Sequence, residues 1–162
     1  MMGRLFSLIV ALLPQHRLSR VVHGLARWRW RPWKNGLIRL FTRIYGVDCG
    51  EAAASEPNAY VSFNAFFTRP LAPGARPLAE GENRIVSPVD GVISQHGPIS
   101  DGRLIQAKRQ DYSVDDLLGG DPQLAGPFRH GHFATLYLSP RDYHRVHMPM
   151  TGSLQRMLHI PG

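Results

Sequence analysis

Cysteine is almost absent from this chain of 162 residues, which contains only Cys49. A single thiol excludes an internal disulfide framework and any zinc module built on several cysteines, and it leaves the redox compartment open. We expect Cys49 to be inert packing, because a lone cysteine mostly behaves as a small apolar side chain. A hydrophobic content of 43% excludes wholesale disorder and predicts one domain with a core, plus an appendage.

Long apolar runs are also absent. The stretch Leu5–Leu13 spans nine residues, whereas a helix that crosses a bilayer needs about 20. We therefore expect no membrane-crossing helix there. A signal peptide is the alternative, but the following Pro14-Gln15-His16-Arg17 adds positive charge and shows no small-residue cleavage pattern.

Acidic residues are scarce in the first fifty positions, where Asp48 stands alone against nine arginine and lysine residues. This third carries a net charge of +8, the remainder carries −1, and the whole chain carries +7. All three tryptophans lie in the same third, at Trp28, Trp30 and Trp33. Arginine and tryptophan favour the headgroup layer of a membrane, because each side chain has one polar and one apolar part.

Two basic amphipathic helices are predicted within residues 1–50, separated by Pro14 and Pro32. Their apolar positions follow the spacing of one helical face: Leu18, Val21, Val22, Leu25 and Trp28 in the first helix, and Leu37, Ile38, Phe41, Ile44 and Tyr45 in the second. Such faces could dock on the chain's own domain, on an anionic membrane surface or on nucleic acid. The arginine excess and the tryptophan cluster favour the membrane, and no nucleic-acid module signature is present.

The composition changes after residue 50. Residues 51–83 are predicted to be a linker and an irregular segment, because Pro70, Pro73 and Pro77 interrupt regular structure. Residues 84–162 are predicted to be β-rich, with strands around an Asp90-Gly91 turn and at 104–108, 133–138 and 153–160. A short helix is expected between Ser113, as its N-cap, and Gly119-Gly120. The predicted fold class is therefore α+β, with amphipathic helices followed by a β-rich domain.

The segment Ser139–Pro149 combines two histidines, two arginines, an aspartate and a tyrosine between prolines. Two histidines three residues apart suggest acid-base chemistry or a metal site. On a strand His144 and His147 would point to opposite faces and could not share a ligand, whereas on a helix they could join His130 and His132 in a zinc site. The remaining alternative is that both histidines make structural hydrogen bonds in a turn. The two flanking prolines leave little room for a helix, so we expect no metal site.

Four separated segments carry a further signal: Phe63–Leu71, Ser87–Gln95, Ile105–Lys108 and Ser139–Pro149. Together they resemble the amino-terminal part of bacterial phosphatidylserine decarboxylase. They occur in the family's order along nearly the whole chain. The resemblance implies decarboxylation of phosphatidylserine to phosphatidylethanolamine in phospholipid biosynthesis, by a β-rich catalytic domain that is incomplete in this chain.

The resemblance also implies a cofactor and roles for three residues. Loss of CO2 leaves electrons that no ordinary side chain accepts, and the family supplies a pyruvoyl carbonyl, which forms a Schiff base with the substrate and arises from a serine by self-cleavage. By motif position His147 would take the serine proton, Asp90 would orient His147, and His144 would place the proton that replaces CO2. A pyridoxal phosphate enzyme is disfavoured independently, because the only lysines are Lys34 and Lys108.

One departure from the family pattern is a missing Leu-Gly-Ser-Thr cleavage segment. The only Gly-Ser pair is Gly152-Ser153, which we interpret as a turn into a strand. The chain is thus expected to be a truncated proenzyme, inactive alone, whose partners are the α chain that carries the pyruvoyl group, phosphatidylserine and an anionic membrane surface, without nucleic acid. A peripheral location on the cytoplasmic side of the cell membrane is expected, and a homo-oligomer is compatible with this. The alternative is a non-catalytic membrane-binding protein or an inactive remnant.

Overall fold

A computed structural model describes residues 15–81, 84–106 and 110–160. The predictions for Leu5–Leu13 and for the strand end at Ala107-Lys108 lie outside these residues. Helices come first and antiparallel strands later, so the α+β class is confirmed. The chain forms two compact units: one contains residues up to Pro77 together with Tyr143–Arg145, and the other contains Leu78–Asp142 and the residues from Val146 onward.

The first unit begins with helix α1, Gln15–Arg27. Its predicted apolar face is solvent-exposed, with exposed fractions of 58% at Val21, 55% at Val22 and 39% at Leu25. The sequence pattern therefore predicted the helix correctly. The helix lies beside Phe63–Phe67, yet its apolar side chains remain largely exposed. None of the described helices combines the length and apolarity that a membrane crossing requires.

Helix α2, Arg31–Tyr45, packs on its own unit instead. Pro32 lies in its first turn, where a missing N–H breaks no helical hydrogen bond, and Gly46 ends it in the left-handed conformation at φ 62°. Ile38 is fully buried and Phe41 packs beside it, whereas Ile44 and Tyr45 are exposed. The predicted apolar face of this helix is thus only partly available to a membrane.

Four buried residues form the core of the first unit, at Ile38, Val47, Tyr60 and Phe66. Cys49 packs at its edge, as expected of an inert thiol. Burial raises the pKa of the Tyr60 phenol, whose hydroxyl donates to the carbonyl of Ala54. This core depends on contacts between segments that are distant in sequence.

Helix α3, Phe63–Phe67, is a short helix in which three of the five residues are phenylalanine. The Ser62 hydroxyl accepts a hydrogen bond from the Ala65 N–H at 3.2 Å and so caps its first turn. A one-turn 3₁₀ helix, Pro57–Ala59, precedes it. The following proline-rich segment is irregular as predicted, and Arg76 contacts Glu51 at 2.7 Å. That hydrogen bond holds the pKa of the Glu51 carboxyl below its ordinary value.

The second unit is built on two antiparallel ribbons. Strand β1, Val92–Pro98, pairs with β4, His132–Tyr137, and β2, Arg103–Gln106, pairs with β3, Gln110–Ser113. In the first ribbon Val92 lies opposite Tyr137, and the register shifts by a bulge between Ile93 and Gln95. The beginning of β1 therefore lies at the end of β4, so the residues just before β1 lie near those just after β4.

Two short helices cover the β2–β3 ribbon. Helix α4, Val114–Leu117, follows β3 directly and is capped by the Ser113 hydroxyl, which accepts from the Asp116 N–H at 2.9 Å. Helix α5, Pro122–Ala125, was not predicted. Ile99, Leu104, Val114 and Ala125 form a small core between these elements.

The predicted strand at 153–160 is wrong for the residues described. These residues are exposed and have no regular structure, so Gly152-Ser153 is not a turn into a strand. A strand forms only where a neighbour supplies its hydrogen bonds. No described segment pairs with these residues.

Candidate active site

The segment Ser139–Pro149 is divided between the two compact units. Tyr143–Arg145 belongs to the first unit, whereas Ser139–Asp142 and Val146–Pro149 belong to the second. Residues 143–148 form neither a strand nor a helix. Neither the strand nor the helix considered for His144 and His147 forms, but each histidine has its own structural surroundings.

His144 is held against the end of helix α3. Its imidazole stacks on the Phe67 ring with 4.1 Å between the ring centroids and 21° between the planes. Next to it, the Arg145 Nε–H donates to the Thr68 carbonyl at 2.9 Å, and Tyr143 is buried. Phe67 and Thr68 thus hold His144 and Arg145, each pair being 77 positions apart in sequence, and the half-buried His144 imidazole is fixed against an aromatic ring.

Asp142 is used within its own turn. Its Oδ2 accepts from the Ser139 N–H at 2.6 Å, and its N–H donates to the Ser139 carbonyl at 2.9 Å. An aspartate that hydrogen-bonds a nearby backbone N–H stabilises a tight turn. Asp142 therefore shapes the beginning of the motif.

His147 lies opposite Pro88, two residues before Asp90. The His147 N–H donates to the Pro88 carbonyl at 2.8 Å, and the Val86 N–H donates to the Pro149 carbonyl at 2.9 Å. These two hydrogen bonds have the spacing of an antiparallel pair in which 86 faces 149 and 88 faces 147. Neither reciprocal hydrogen bond can form, because Pro88 and Pro149 have no N–H. The absence of a regular strand here follows from these two prolines.

Gly91 fixes where Asp90 enters the β1–β4 ribbon. A Cβ atom at position 91 would lie 2.7 Å from the Tyr137 carbonyl oxygen, so only glycine allows this close approach. Half-buried Asp90 therefore precedes the point at which β1 meets the end of β4. The chain continues from that end of β4 into Ser139–Asp142, so Asp90 and the beginning of the motif lie at the same end of the ribbon.

A cavity of about 420 Å³ adjoins this paired segment. Its lining combines apolar residues, among them Val86, Met148 and Met150, with the polar side chains of Arg84 and Thr151. Within the described ranges, no three histidine, cysteine, aspartate or glutamate side chains are placed so that they could hold a metal ion.

Sequence reasoning missed the residues that hold the two histidines. Phe67 and Thr68 anchor 143–145, and Pro88 receives the backbone N–H of His147. The phenylalanines just before Thr68 were the available signal for a neighbour of an imidazole, because aromatic rings commonly pack on one another. Nothing in the local pattern indicated which imidazole it would meet.

Comparison with known proteins agrees with the resemblance. The sequence model of the family described as phosphatidylserine decarboxylase matches residues 63–162, and a second one, described as PSD, matches residues 5–46. A phosphatidylserine decarboxylase proenzyme of Alkalilimnicola ehrlichii is 56% identical over 93% of this chain and 52% of its own length. Proenzymes of the same name are 53% identical in Pseudomonas fluorescens and 55% identical in Azotobacter vinelandii, each over 100% of this chain.

The matches cover nearly all of this chain but only part of each relative. The chain covers 56% of the Pseudomonas relative and 57% of the Azotobacter relative, so it spans little more than half the length of the proteins it matches. The family match begins at Phe63, the first residue of helix α3, and includes Asp90, His144 and His147. The chain belongs to the phosphatidylserine decarboxylase family.

Proposed function

We propose that this chain contributes the acid-base residues of an enzyme that decarboxylates phosphatidylserine to phosphatidylethanolamine. The observation that carries the proposal is the separate anchoring of the two motif histidines: His144 against Phe67, and His147 against the segment that leads to Asp90. Two imidazoles held by different contacts suit two different proton transfers. One transfer belongs to self-cleavage and the other to decarboxylation.

His147 and Asp90 are the proposed pair for self-cleavage. The His147 N–H donates to the Pro88 carbonyl at 2.8 Å, which holds His147 beside Pro88, two positions along the chain from Asp90. The His147 imidazole would take the proton from a serine hydroxyl, so that the serine oxygen can attack the preceding carbonyl carbon. The Asp90 carboxylate would hold the ring in the required tautomer and stabilise its protonated form. Asp142 suits this role less well, because its Oδ2 already binds the Ser139 N–H.

His144 is the proposed proton donor in decarboxylation. When the bond between the α-carbon and the carboxylate breaks, the electron pair stays with the substrate and a proton must reach the α-carbon. A half-buried imidazole stacked on Phe67 can deliver that proton from a fixed direction. Burial against an aromatic ring also limits access of water to the reacting carbon.

The residues present fit a pyruvoyl group better than a lysine-bound cofactor. Such a group supplies an electrophilic carbonyl that accepts the electrons left when CO2 departs. Lys34, the one lysine among the described residues, is buried and donates to Asn35 and to the carbonyl of Pro57. Neither of these partners belongs to the segment Ser139–Pro149. In the whole protein, the serine that gives rise to the group would lie on the partner α chain.

The exposed face of α1 supports docking on an anionic membrane surface. Leu18, Val21, Val22 and Leu25 are 39–58% exposed, and Trp28 and Trp30 are about half exposed. Helices that dock on their own domain bury such a face, as α2 does with Ile38. A peripheral enzyme on the cytoplasmic side of the cell membrane would meet its lipid substrate in this way.

A double substitution in α1 should weaken membrane binding. We expect Val21→Asp with Val22→Asp to lower the partition coefficient of the intact chain onto vesicles of phosphatidylcholine and phosphatidylglycerol by at least about tenfold, since burial of each valine is worth about 1.5–3 kcal/mol. Vesicle co-sedimentation in 0.15 M salt measures this coefficient.

The matched control is Ser19→Asp with His23→Asp, which adds the same two carboxylates to the polar flank of α1. This control should lower binding by less than about threefold, since only electrostatic attraction changes. An equal loss in both double variants would show that charge alone governs binding and that the apolar face stays out of the membrane.

The enzymatic proposal is tested in a chimaeric protein. Residues 1–162 are followed by the carboxy-terminal remainder of the Pseudomonas fluorescens relative, of which this chain covers 56%. We expect the chimaera to cut itself and to release phosphatidylethanolamine and CO2 from phosphatidylserine, as measured by mass spectrometry. A chimaera that folds and binds vesicles but neither cuts itself nor releases CO2 would favour the alternative, a non-catalytic membrane-binding protein.

A further inference from the structure

A polar cavity of about 410 Å³ lies in the first unit, at the beginning of helix α2. It is lined by Arg31, Lys34, Asn35 and Asn58. The first three lie one turn apart on a single face of α2, and Asn58 comes from the 3₁₀ helix Pro57–Ala59. The volume falls in the range of small-molecule sites, about 300–1,000 Å³.

The hydrogen bonds in this cavity leave more donors than acceptors. The Lys34 ammonium has no acceptor atom, so the Asn35 group that receives its 2.6 Å hydrogen bond must be Oδ1. The Asn35 Nδ2 group must then donate to Asn58 Oδ1. Each amide oxygen has thus accepted one hydrogen bond, and N–H groups remain on all three side chains.

Positive charge accumulates at the same place without a counter-charge. Lys34 is 5% exposed, and its acceptors are the neutral oxygens of Asn35 and Pro57. In the part of the chain that the structure describes, no carboxylate pairs with either Lys34 or Arg31. Burial, and secondarily the charge of Arg31, lower the pKa of Lys34 from its ordinary value. The first turn of α2 also contains no acidic residue, although that end of a helix favours negative charge.

We propose that this cavity binds a phosphate group, either as free phosphate or as the phosphodiester of an anionic lipid. A phosphate offers oxygen acceptors and negative charge, whereas the side chains that line the cavity offer mainly N–H donors and positive charge. Arg31 can form two parallel hydrogen bonds to it, and Lys34 and Asn58 can each add one. The site is separate from the proposed catalytic residues, because its lining includes none of Asp90, His144 and His147.

The test measures phosphate binding to the intact chain in 0.15 M salt, through the side-chain amide NMR signals of Asn35 and Asn58. One arm is titrated with inorganic phosphate and the other with monomeric dihexanoyl phosphatidylglycerol. We expect saturable shifts of the Asn58 amide signals in at least one arm. Saturation by inorganic phosphate at equal or lower concentration identifies free phosphate, and saturation by the lipid alone identifies a headgroup.

The matched variants are Arg31→Gln and Arg39→Gln, which remove the same charge from exposed positions of the same helix. Arg31→Gln should weaken binding by about tenfold, the effect of losing one charged hydrogen-bonding partner, and Arg39→Gln by less than about twofold. Lys34→Gln should also weaken it, but its burial makes Arg31→Gln the decisive variant. Unmoved Asn58 signals in both arms, or equal losses in the two arginine variants, would overturn the proposal.

Discussion

Replacing His147 with alanine in the chimaera is expected to slow self-cleavage by about 10²–10⁴-fold, the usual contribution of a positioned general base. The serine hydroxyl is a weak nucleophile until a neighbouring base takes its proton. Asp90→Asn should cause a loss of the same order, because an asparagine can hold the imidazole only in the wrong tautomer. The uncut fraction is measured over time by denaturing electrophoresis and intact mass.

The matched control for this experiment is His96→Ala, which removes an exposed imidazole from β1 in the same compact unit. His96 lies opposite Ala134 in the β1–β4 register, within the ribbon rather than at its end. It should leave the cleavage rate unchanged. Normal cleavage in His147→Ala, or an equal defect in His96→Ala, would remove His147 from the proposed role.

The largest expected effect on stability is that of Phe66→Ala. Phe66 is 1% exposed, and its ring meets Phe41, Phe63 and Tyr60 at tilted or edge-on angles. The Arg69 guanidinium also lies over its face, 5.4 Å from the ring centre. Removing a buried phenyl ring loses this burial and leaves a cavity, so the free energy of unfolding should fall by about 3–5 kcal/mol.

Urea denaturation of the intact chain, followed by tryptophan fluorescence, measures this change. Leu40→Ala on helix α2 is the control, because Leu40 is 55% exposed and should change stability by no more than about 0.5 kcal/mol. Similar small changes in both variants would show that the aromatic cluster around Phe66 does not stabilise the first unit.

Local patterns predicted the elements that depend on local interactions. The apolar spacing of Val21, Val22 and Leu25 identified helix α1, because a helix brings these positions to one face. Ser113 was identified as an N-cap, and its hydroxyl does accept the Asp116 N–H. Each of these predictions needs only residues within one or two helical turns.

Contacts between distant segments could not be predicted in this way. Helix α2 has an amphipathic pattern like that of α1, yet Ile38 is buried by Val47, Tyr60 and Phe66, which lie outside the helix. Periodicity shows that a face is apolar, but not what covers it. The membrane interpretation therefore suits α1 better than α2.

In the candidate site, too, local features could be predicted and contacts between distant segments could not. The density of ionisable groups in Ser139–Pro149 was visible in the sequence. The strand considered there does not form, because Pro88 and Pro149 cannot donate the reciprocal hydrogen bonds. The hydrogen bond from His147 to Pro88 joins residues 59 positions apart in sequence, which no local pattern could indicate. The roles of Asp90, His144 and His147 remain predictions that the experiments above and below address.

The central claim is that His144 and His147 serve different steps. The most direct test compares His144→Ala with His147→Ala in the chimaera, by measuring the intact mass of the chains and the release of phosphatidylethanolamine from phosphatidylserine. We predict that His144→Ala is cut like the parent protein but releases product about 10²–10⁴-fold more slowly, whereas His147→Ala stays uncut. A His144→Ala protein that stays uncut, or that is cut and fully active, would contradict the claim.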